Sequence, residues 1–248
     1  MGKYEVTQAQ YEAVMTGNSD GLSATPSERP NKPNRPVEKV SWADAQIFMT
    51  RLNAKQSANT PGGRAYVFPI ESQWEYACRA GTKTMYWWDN DTNATRANYS
   101  VRGLSQTRDV CYYAPNSSGF FDMHGNLWEW TADWYQAANP IGNPVVDPTG
   151  LASGSNRVRR GGSWSHDGAN LRSAKRTNHT PSSRHNNLGF RVGLRVGLSG
   201  MDFSQSQAWK RVLVPRRQKM IWLRKTPLWD KPVEEMSGVK YSESLLHG

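Results

Sequence analysis

Residues 119–135 have the sequence GFFDMHGNLWEWTADWY, which joins large aromatic side chains to a glycine turn and acidic residues. Asp122 and Glu129 are seven positions apart around Gly125, with backbone carbonyls between them. Calcium prefers about six to eight oxygen ligands, drawn from carboxylates and carbonyls in loops. The segment therefore predicts a turn, a short strand and a calcium loop, unless Glu129 only caps loop N–H groups.

The composition predicts a loop-rich domain with a core of few, large side chains. Hydrophobic residues make up only 37% of the 248 positions, yet the chain has 11 Trp and 10 Tyr. Each large aromatic buries much surface and usually needs a partner for its polar group. The 21 Gly and 14 Pro favour turns. The length allows one large domain or two small ones.

Several protein classes are excluded by simple patterns. No apolar run is long enough for a membrane span, and the first residues, MGKYEVTQAQ, do not form a signal peptide. Cys78 and Cys111 are the only cysteines, so a disulfide framework is not expected. The chain is expected outside the cell or on its surface if a leader was removed, and in the cytoplasm otherwise.

The net charge of +10 is concentrated towards the C-terminus. Nine Lys or Arg lie within residues 157–195, opposed only by Asp167, and a second basic group follows position 209. A basic face can attract nucleic acid or other anions. The alternative is a solvated face with arginines that bond loop carbonyls. Because no nucleic-acid motif is present, we do not expect a nucleic-acid partner.

Capping patterns predict three short helices. Thr7 and Gln10 form a capping box, as do Ser41 and Asp44, and Gly81 ends the third helix. The predicted helices cover residues 7–15, 41–53 and 71–80.

Short strands are predicted between long loops, with residues 158–160 and 190–194 in one antiparallel sheet. The other predicted strands are 66–68, 86–88 and 127–131. Residues 197–248 lack sustained periodicity and predict a flexible basic extension, or else an anion-seeking arm in which Trp alternates with basic residues.

Residues 161–192, GGSWSHDGANLRSAKRTNHTPSSRHNNLGFRV, place polar residues between glycine-bracketed anchors. Such a run can form a catalytic pocket, a contact surface or a solvated loop. His166, His179 and His185 could converge on a metal, although histidine is also a common contact residue. We call the candidate ligand-binding residues the contact surface; they are Trp164, Ser165, His166, Asp167, Asn170, Arg172, Thr177, Asn178, His179, Ser182, Arg184, His185 and Asn186.

Six motifs occur in a fixed order: GKYEVTQAQYEAVM, PVEKVSWADAQIFMTRLNA, ESQWEYACRAGT, GFFDMHGNLWEWTADWY, RVRRGGSW and NLGFRVGLR. Together they resemble the formylglycine-generating enzyme, or sulfatase-modifying factor, family. The resemblance implies a domain over residues 1–196 with an α+β, C-type-lectin-like fold, short antiparallel sheets and many loops. Relatives carry a strand before the first motif, so we expect an N-terminal truncation or one missing strand pairing.

The resemblance implies a cysteine oxidase that holds copper between two thiolates, the ligands that Cu(I) prefers. Here His166 stands at the first thiolate position and Leu171 at or near the second. We therefore expect neither copper nor this oxidation. A disulfide partner for Cys78 would follow the GFR motif, where Val192 stands, so Cys78 is expected to be a buried core residue.

The resemblance also implies one structural calcium site, with ligands at Asp122, Gly125, Leu127 and Glu129. A second family site would use Asn98 and Tyr99 with a later carboxylate. Arg102 lies near the position of that carboxylate, which disfavours the second site.

Two functional hypotheses remain open from the sequence. The first is a non-catalytic domain that binds a protein, peptide or glycan through residues 164–187, as in the variable proteins of diversity-generating retroelements. Small polar side chains suit such adaptable contacts. The second is an oxidase with altered active-site chemistry. The sequence leaves the ligand and the oligomeric state open.

Overall fold

The computed structural model describes residues 1–56, 64–137 and 150–195. Within these ranges the chain is α+β, with three α-helices, six short strands and much irregular backbone. The fold class therefore agrees with the prediction from the sequence. The predicted extension over residues 197–248 lies outside the described residues.

The three helices form where the capping patterns predict them: α1 is Gln8–Met15, α2 is Trp42–Gln56 and α3 is Glu71–Arg79. The Gln10 N–H donates to Thr7 Oγ1 over 3.2 Å, and the Thr7 N–H donates to Gln10 Oε1 over 3.0 Å. The Ser41–Asp44 pair repeats this arrangement before α2. Helix α3 ends at Ala80, whose φ of 47° is already left-handed, one residue before the predicted glycine.

The strands form two sheets. β1 is Ala65–Val67, β2 is Trp128–Trp134, β3 is Arg157–Arg160, β4 is Thr177–His179, β5 is Leu188–Phe190 and β6 is Gly193–Arg195. Four strands are ordered β4-β3-β2-β5, and β1 pairs with β6 in a separate sheet. Strand β2 is thus central, with β3 on one side and β5 on the other.

The predicted strand at residues 190–194 is two strands in different sheets. β5 pairs with β2 in parallel, with Trp128 opposite Leu188, whereas β6 is antiparallel to β1. The chain leaves the first sheet between them, at Arg191 and Val192, and the Arg191 side chain is fully buried. Phe190 lies in the same sheet as residues 158–160, as expected, but residues 193–194 belong to the sheet with β1, so the prediction of one strand over residues 190–194 is wrong.

The predicted strand at residues 86–88 is wrong, because this segment is a turn. The Tyr86 N–H donates to the Asp89 carbonyl over 3.0 Å, and Thr84 Oγ1 donates to the Tyr86 carbonyl over 2.6 Å. The rings of Tyr86 and Trp88 stack at 5.0 Å. The alternating aromatic residues Tyr86 and Trp88 therefore stack on each other and do not belong to a β-sheet.

Large aromatic side chains dominate the core between α1, α2 and the four-stranded sheet, as the composition predicts. Phe48 stacks on Tyr11 at 5.3 Å and meets Phe190 edge-on at 5.3 Å. Trp130 is fully buried, and its indole N–H donates to the Val40 carbonyl over 3.0 Å. The core therefore holds the central strand, and with it the ends of the polar stretch, in a fixed position.

Candidate functional site

The polar stretch leaves the sheet at β3, forms the edge strand β4 at Thr177–His179 and rejoins the sheet at β5. Buried residues fix both ends of the stretch. Gly161, Gly162 and Ser163 are buried at the start, as are Leu171 and Ser173 in the middle. The contact-surface residues between the buried positions are largely accessible; the most exposed are Ser165, Asp167, Arg172, Ser182, Arg184 and His185. Burial and exposure thus alternate along one segment.

Backbone hydrogen bonds hold this segment against the frame. The His185 carbonyl accepts from the Lys39 N–H, and the Pro181 carbonyl accepts from the Trp42 N–H, each over 3.0 Å. The Trp164 indole N–H donates to the Asn186 carbonyl over 3.1 Å and so ties the start of the segment to its end. The bonds at Pro181 and His185 use main-chain atoms and place few demands on those side chains, whereas the third bond requires the indole of Trp164.

His166 lies in a small hydrogen-bonded cluster. Its Nδ1 is 2.8 Å from Ser163 Oγ and 3.1 Å from Ser165 Oγ, and the Trp128 indole N–H donates to it over 3.3 Å. Burial lowers the pKa of His166, and the nearby Arg159 lowers it further. Because the Trp128 indole N–H donates to it, Nδ1 acts as a hydrogen-bond acceptor.

Two of the three histidines converge. The Nε2 atoms of His179 and His185 are 3.1 Å apart, whereas His166 belongs to the separate cluster with Trp128. Across the described residues, no group of three or more metal-ligating side chains is present. The possible three-histidine centre does not form.

Some contact-surface residues also brace the fold. Arg184 makes two hydrogen bonds of 2.7 Å to the Asp44 carboxylate, and Asp167 accepts from the Asn170 N–H over 3.2 Å at the start of a 3₁₀ helix. Asn178 belongs to β4, an edge strand that the sequence did not predict. Exposure alone therefore does not make every member a ligand contact.

The Glu129 carboxylate already has strong partners in the structure. Arg191 donates to both of its oxygens, with Nε 2.6 Å from Oε2, and the Trp74 indole N–H donates to Oε2 over 2.7 Å. All three side chains are fully buried. Glu129 thus forms a buried ion pair, and its role as a calcium ligand stays a prediction. Arg191 and Trp74 had no sequence signal that marked them as its partners.

Asp122 remains a candidate for binding a cation. Its carboxylate accepts from the Cys111 N–H over 2.9 Å, and burial raises its pKa to about 6. Glu5 is also fully buried, and burial together with Asp122 and Glu129 raises its pKa well above the usual value. Three buried acids thus share the single guanidinium of Arg191. Buried charge is costly unless it is neutralised, so a proton or a cation fits this cluster.

The two cysteines are unlike a copper-binding pair. Cys78 is buried beside His124, and burial raises the pKa of its thiol to about 12, whereas Cys111 is exposed on a loop. Leu171, at the second thiolate position of the resembled enzymes, packs in an apolar cluster with Tyr86. The expectation that Cys78 is a core residue is confirmed.

Comparison with known proteins identifies the family. Residues 1–196 match the sulfatase-modifying factor enzyme 1-like domain. The chain belongs to this family. A formylglycine-generating enzyme of Streptomyces coelicolor is 36% identical over 182 residues, which cover 66% of this chain and 54% of that protein. An inactive C-alpha-formylglycine-generating enzyme 2 of Bos taurus is 32% identical over 179 residues, covering 65% and 51%. The chain spans about half the length of these relatives.

Among solved structures, Treponema denticola variable protein 1 is similar to this chain. It superimposes with a TM-score of 0.66 at 28% identity and covers 79% of this chain and 84% of its own. In the part of our chain that the structure describes, no helix is both long and apolar enough to cross a membrane.

Proposed function

We propose that this domain is a non-catalytic binding module that contacts a protein, peptide or glycan through the contact surface. The observation that carries the proposal is the burial pattern of residues 161–192. Buried residues hold the stretch at 161–173 and at 188–192, whereas every residue of 174–187 is partly or fully accessible to solvent. Such a segment tolerates side-chain change while its path stays fixed. A binding protein that is diversified by a retroelement must accept many different side chains on one backbone, and this segment suits that role.

Two further observations support binding over oxidation. The positions of the two family thiolates carry His166, which is held by serine and tryptophan, and Leu171, which is core. The similarity of this chain to a protein named as variable and to one named as an inactive enzyme supports the same proposal. Neither relative identifies the ligand of this chain.

An oxidation assay separates the two hypotheses. The purified protein is incubated with a cysteine-containing sulfatase peptide, oxygen and copper, beside the Streptomyces coelicolor relative as a positive control. We expect no formylglycine by mass spectrometry from this chain with or without copper. Copper-dependent turnover would establish the altered oxidase instead.

A display library tests the binding module directly. Ser165, Ser182 and His185 are randomised together, and the control library randomises the buried Gly162, Leu171 and Ser173. We expect most members of the first library, and few of the second, to resist protease. Selection on hen lysozyme as a probe protein should then enrich binders from the first library only. Equal protease loss in both libraries would contradict a tolerant contact surface.

We also propose that calcium neutralises the acidic cluster, with Asp122 as its carboxylate ligand and the carbonyls of Gly125 and Leu127 beside it. The excess of buried carboxylates over Arg191 supports this, while the ion pair of Glu129 makes direct ligation by Glu129 the weakest part of the predicted set. Millimolar calcium should raise the melting temperature relative to EGTA, because a ligand that binds only the folded state stabilises it. Asp122→Asn should abolish the shift, and an unchanged shift would refute the site.

A further inference from the structure

A basic cleft of about 390 Å³ lies between the polar stretch and the turn at residues 83–90. One wall is formed by residues 172–176, and the other by the turn together with Arg79 at the end of α3. The Ser173 N–H and hydroxyl both donate to the Met85 carbonyl, over 2.8 and 3.1 Å, and hold the walls together. The cleft shares only Arg172 with the contact surface.

Five cationic side chains line this cleft, and no acid does: Arg79, Lys83, Arg172, Lys175 and Arg176. Two of these cations have acidic partners behind the wall. Arg79 bonds Glu75 over 2.8 Å, and Arg176 bonds both oxygens of Glu71 over 2.6 and 2.7 Å.

Glu71 and Glu75 do not neutralise the other three cations of the cleft, Lys83, Arg172 and Lys175. Both also contact the fully buried guanidinium of Arg160, so two carboxylates serve three arginines. Among the described residues, no salt bridge neutralises Lys83, Arg172 or Lys175. The positive charge of the cleft is therefore uncompensated at its open side.

The uncharged polar side chains that line the cleft from the turn at residues 83–90 already form hydrogen bonds to backbone groups of that turn. Thr84 Oγ1 donates to the Tyr86 carbonyl, and Asn90 Oδ1 accepts from the Met85 N–H over 3.0 Å. A neutral sugar or peptide would find few free hydrogen-bonding groups there. The amines of Lys83 and Lys175 and the terminal nitrogens of Arg172, in contrast, match the several oxygens of a tetrahedral anion, which basic side chains bind through charge-assisted hydrogen bonds. The Arg172 Nε itself donates to the Ala169 carbonyl over 3.0 Å.

We propose that the cleft binds a small molecule that carries phosphate or sulfate groups, with Lys83, Arg172 and Lys175 as its principal contacts. The volume lies in the range of about 300–1,000 Å³ that is usual for small-ligand sites. Shape and size favour a compact ligand over a nucleic-acid strand, whose phosphates need an extended groove.

Titration calorimetry at constant ionic strength tests the cleft with two probes, inorganic pyrophosphate and a sulfated disaccharide. The single variants are Lys83→Gln, Arg172→Gln and Lys175→Gln, and Lys55→Gln on an exposed position of α2 is the matched control. Each cleft variant should weaken binding about tenfold, as expected for one charge-assisted contact. The control should bind like the unaltered protein. The probe that binds more tightly identifies phosphate or sulfate as the source of the anion.

The proposal is overturned if neither probe binds at millimolar concentration, or if the control weakens binding as much as the cleft variants. Thermal melting of each variant shows whether it remains folded, which the exposure of Lys83 and Arg172 favours. His185→Ala, on the contact surface but outside the cleft, should leave both affinities unchanged. Failure of the binding-module proposal and failure of the anion site are therefore distinguishable.

Discussion

The buried ion pair of Glu129 and Arg191 contrasts with the contact surface, whose side chains are partly or fully accessible to solvent. Arg191 donates to Glu129, to Phe121 and to the backbone of Gly2 and Lys3, all within the protein interior. In the contact surface, hydrogen bonds to the frame come from backbone carbonyls, as at His185, and from side chains, as between Arg184 and Asp44. The comparison shows that specific side chains are required where charge is buried and are replaceable where the backbone alone is held.

Arg191→Met should give the largest effect, because it leaves Glu129 charged, buried and short of a partner. We expect a loss of about 3–5 kcal/mol in the free energy of unfolding, measured with denaturant. Arg195→Met, at an exposed arginine of β6, should change little. Adding Glu129→Gln should restore part of the loss, since the amide oxygen still accepts from Trp74. A loss below about 1 kcal/mol would show that the ion pair does not brace the frame.

Gly162→Ala should come next in size. Gly162 has a φ of +77°, and an added Cβ would lie 2.6 Å from Leu171 Cδ1. Left-handed backbone and overpacking together predict a loss of about 2–4 kcal/mol. Gly103→Ala is a matched control, because its φ is +63° but nothing lies within 4 Å of an added Cβ. Equal melting temperatures for the two variants would rule out the close approach at Gly162.

Glu38→Gln should raise stability in a pH-dependent way. Burial raises the pKa of Glu38 from 4.5 to about 7; Oε1 accepts from the Glu28 N–H, and the buried Oε2 has no partner. The folded state binds the proton of the Glu38 carboxyl more tightly than the unfolded state does. The stability that the protonated Glu38 contributes is therefore fully present below pH 4.5 and is lost as the pH rises to about 7.

The glutamine cannot ionise, so the Glu38 variant should match the unaltered protein near pH 4 and exceed it by up to about 2 kcal/mol at pH 8. Urea unfolding at the two pH values measures the difference. Glu12→Gln, on the exposed side of α1, is the control without this pH dependence. A gain that is the same at both pH values would point to packing rather than ionisation.

The smallest effects are expected on the contact surface. Ser182→Ala and His185→Ala each replace an exposed side chain and should change the free energy of unfolding by no more than about 0.5 kcal/mol. Denaturant unfolding beside Gly162→Ala measures this. A loss comparable to that of the glycine variant would remove the distinction between frame and surface.

The helices were predictable because the signals that begin and end them lie within a few residues in the sequence. The capping boxes at Thr7 and Ser41 each join two residues three positions apart, and the left-handed residue after α3 is Ala80 rather than the predicted Gly81. The parallel pairing of β2 with β5 joins residues 60 positions apart, at Trp128 and Leu188. Sequence periodicity does not encode such a pairing, which is why the strand at residues 190–194 was predicted as continuous.

For the candidate site, the sequence predicted its polar character but not its connections. The alternation of buried and exposed positions follows from the glycine-bracketed motifs. Asp44 as the partner of Arg184 and Arg191 as the partner of Glu129 depend on long-range folding, because each arginine could equally have faced solvent. The basic cleft was likewise visible only as an excess of charge, since the acids that neutralise Arg79 and Arg176 lie on α3.

Strand β4 divides residues 161–187 into two loops, residues 161–176 between β3 and β4 and residues 180–187 between β4 and β5. Each loop is attached to the sheet at both ends. Doubling the length of such a loop adds only about 0.6 kcal/mol of closure entropy. Insertions and deletions within either loop can therefore accumulate during evolution without moving the strands that bound it.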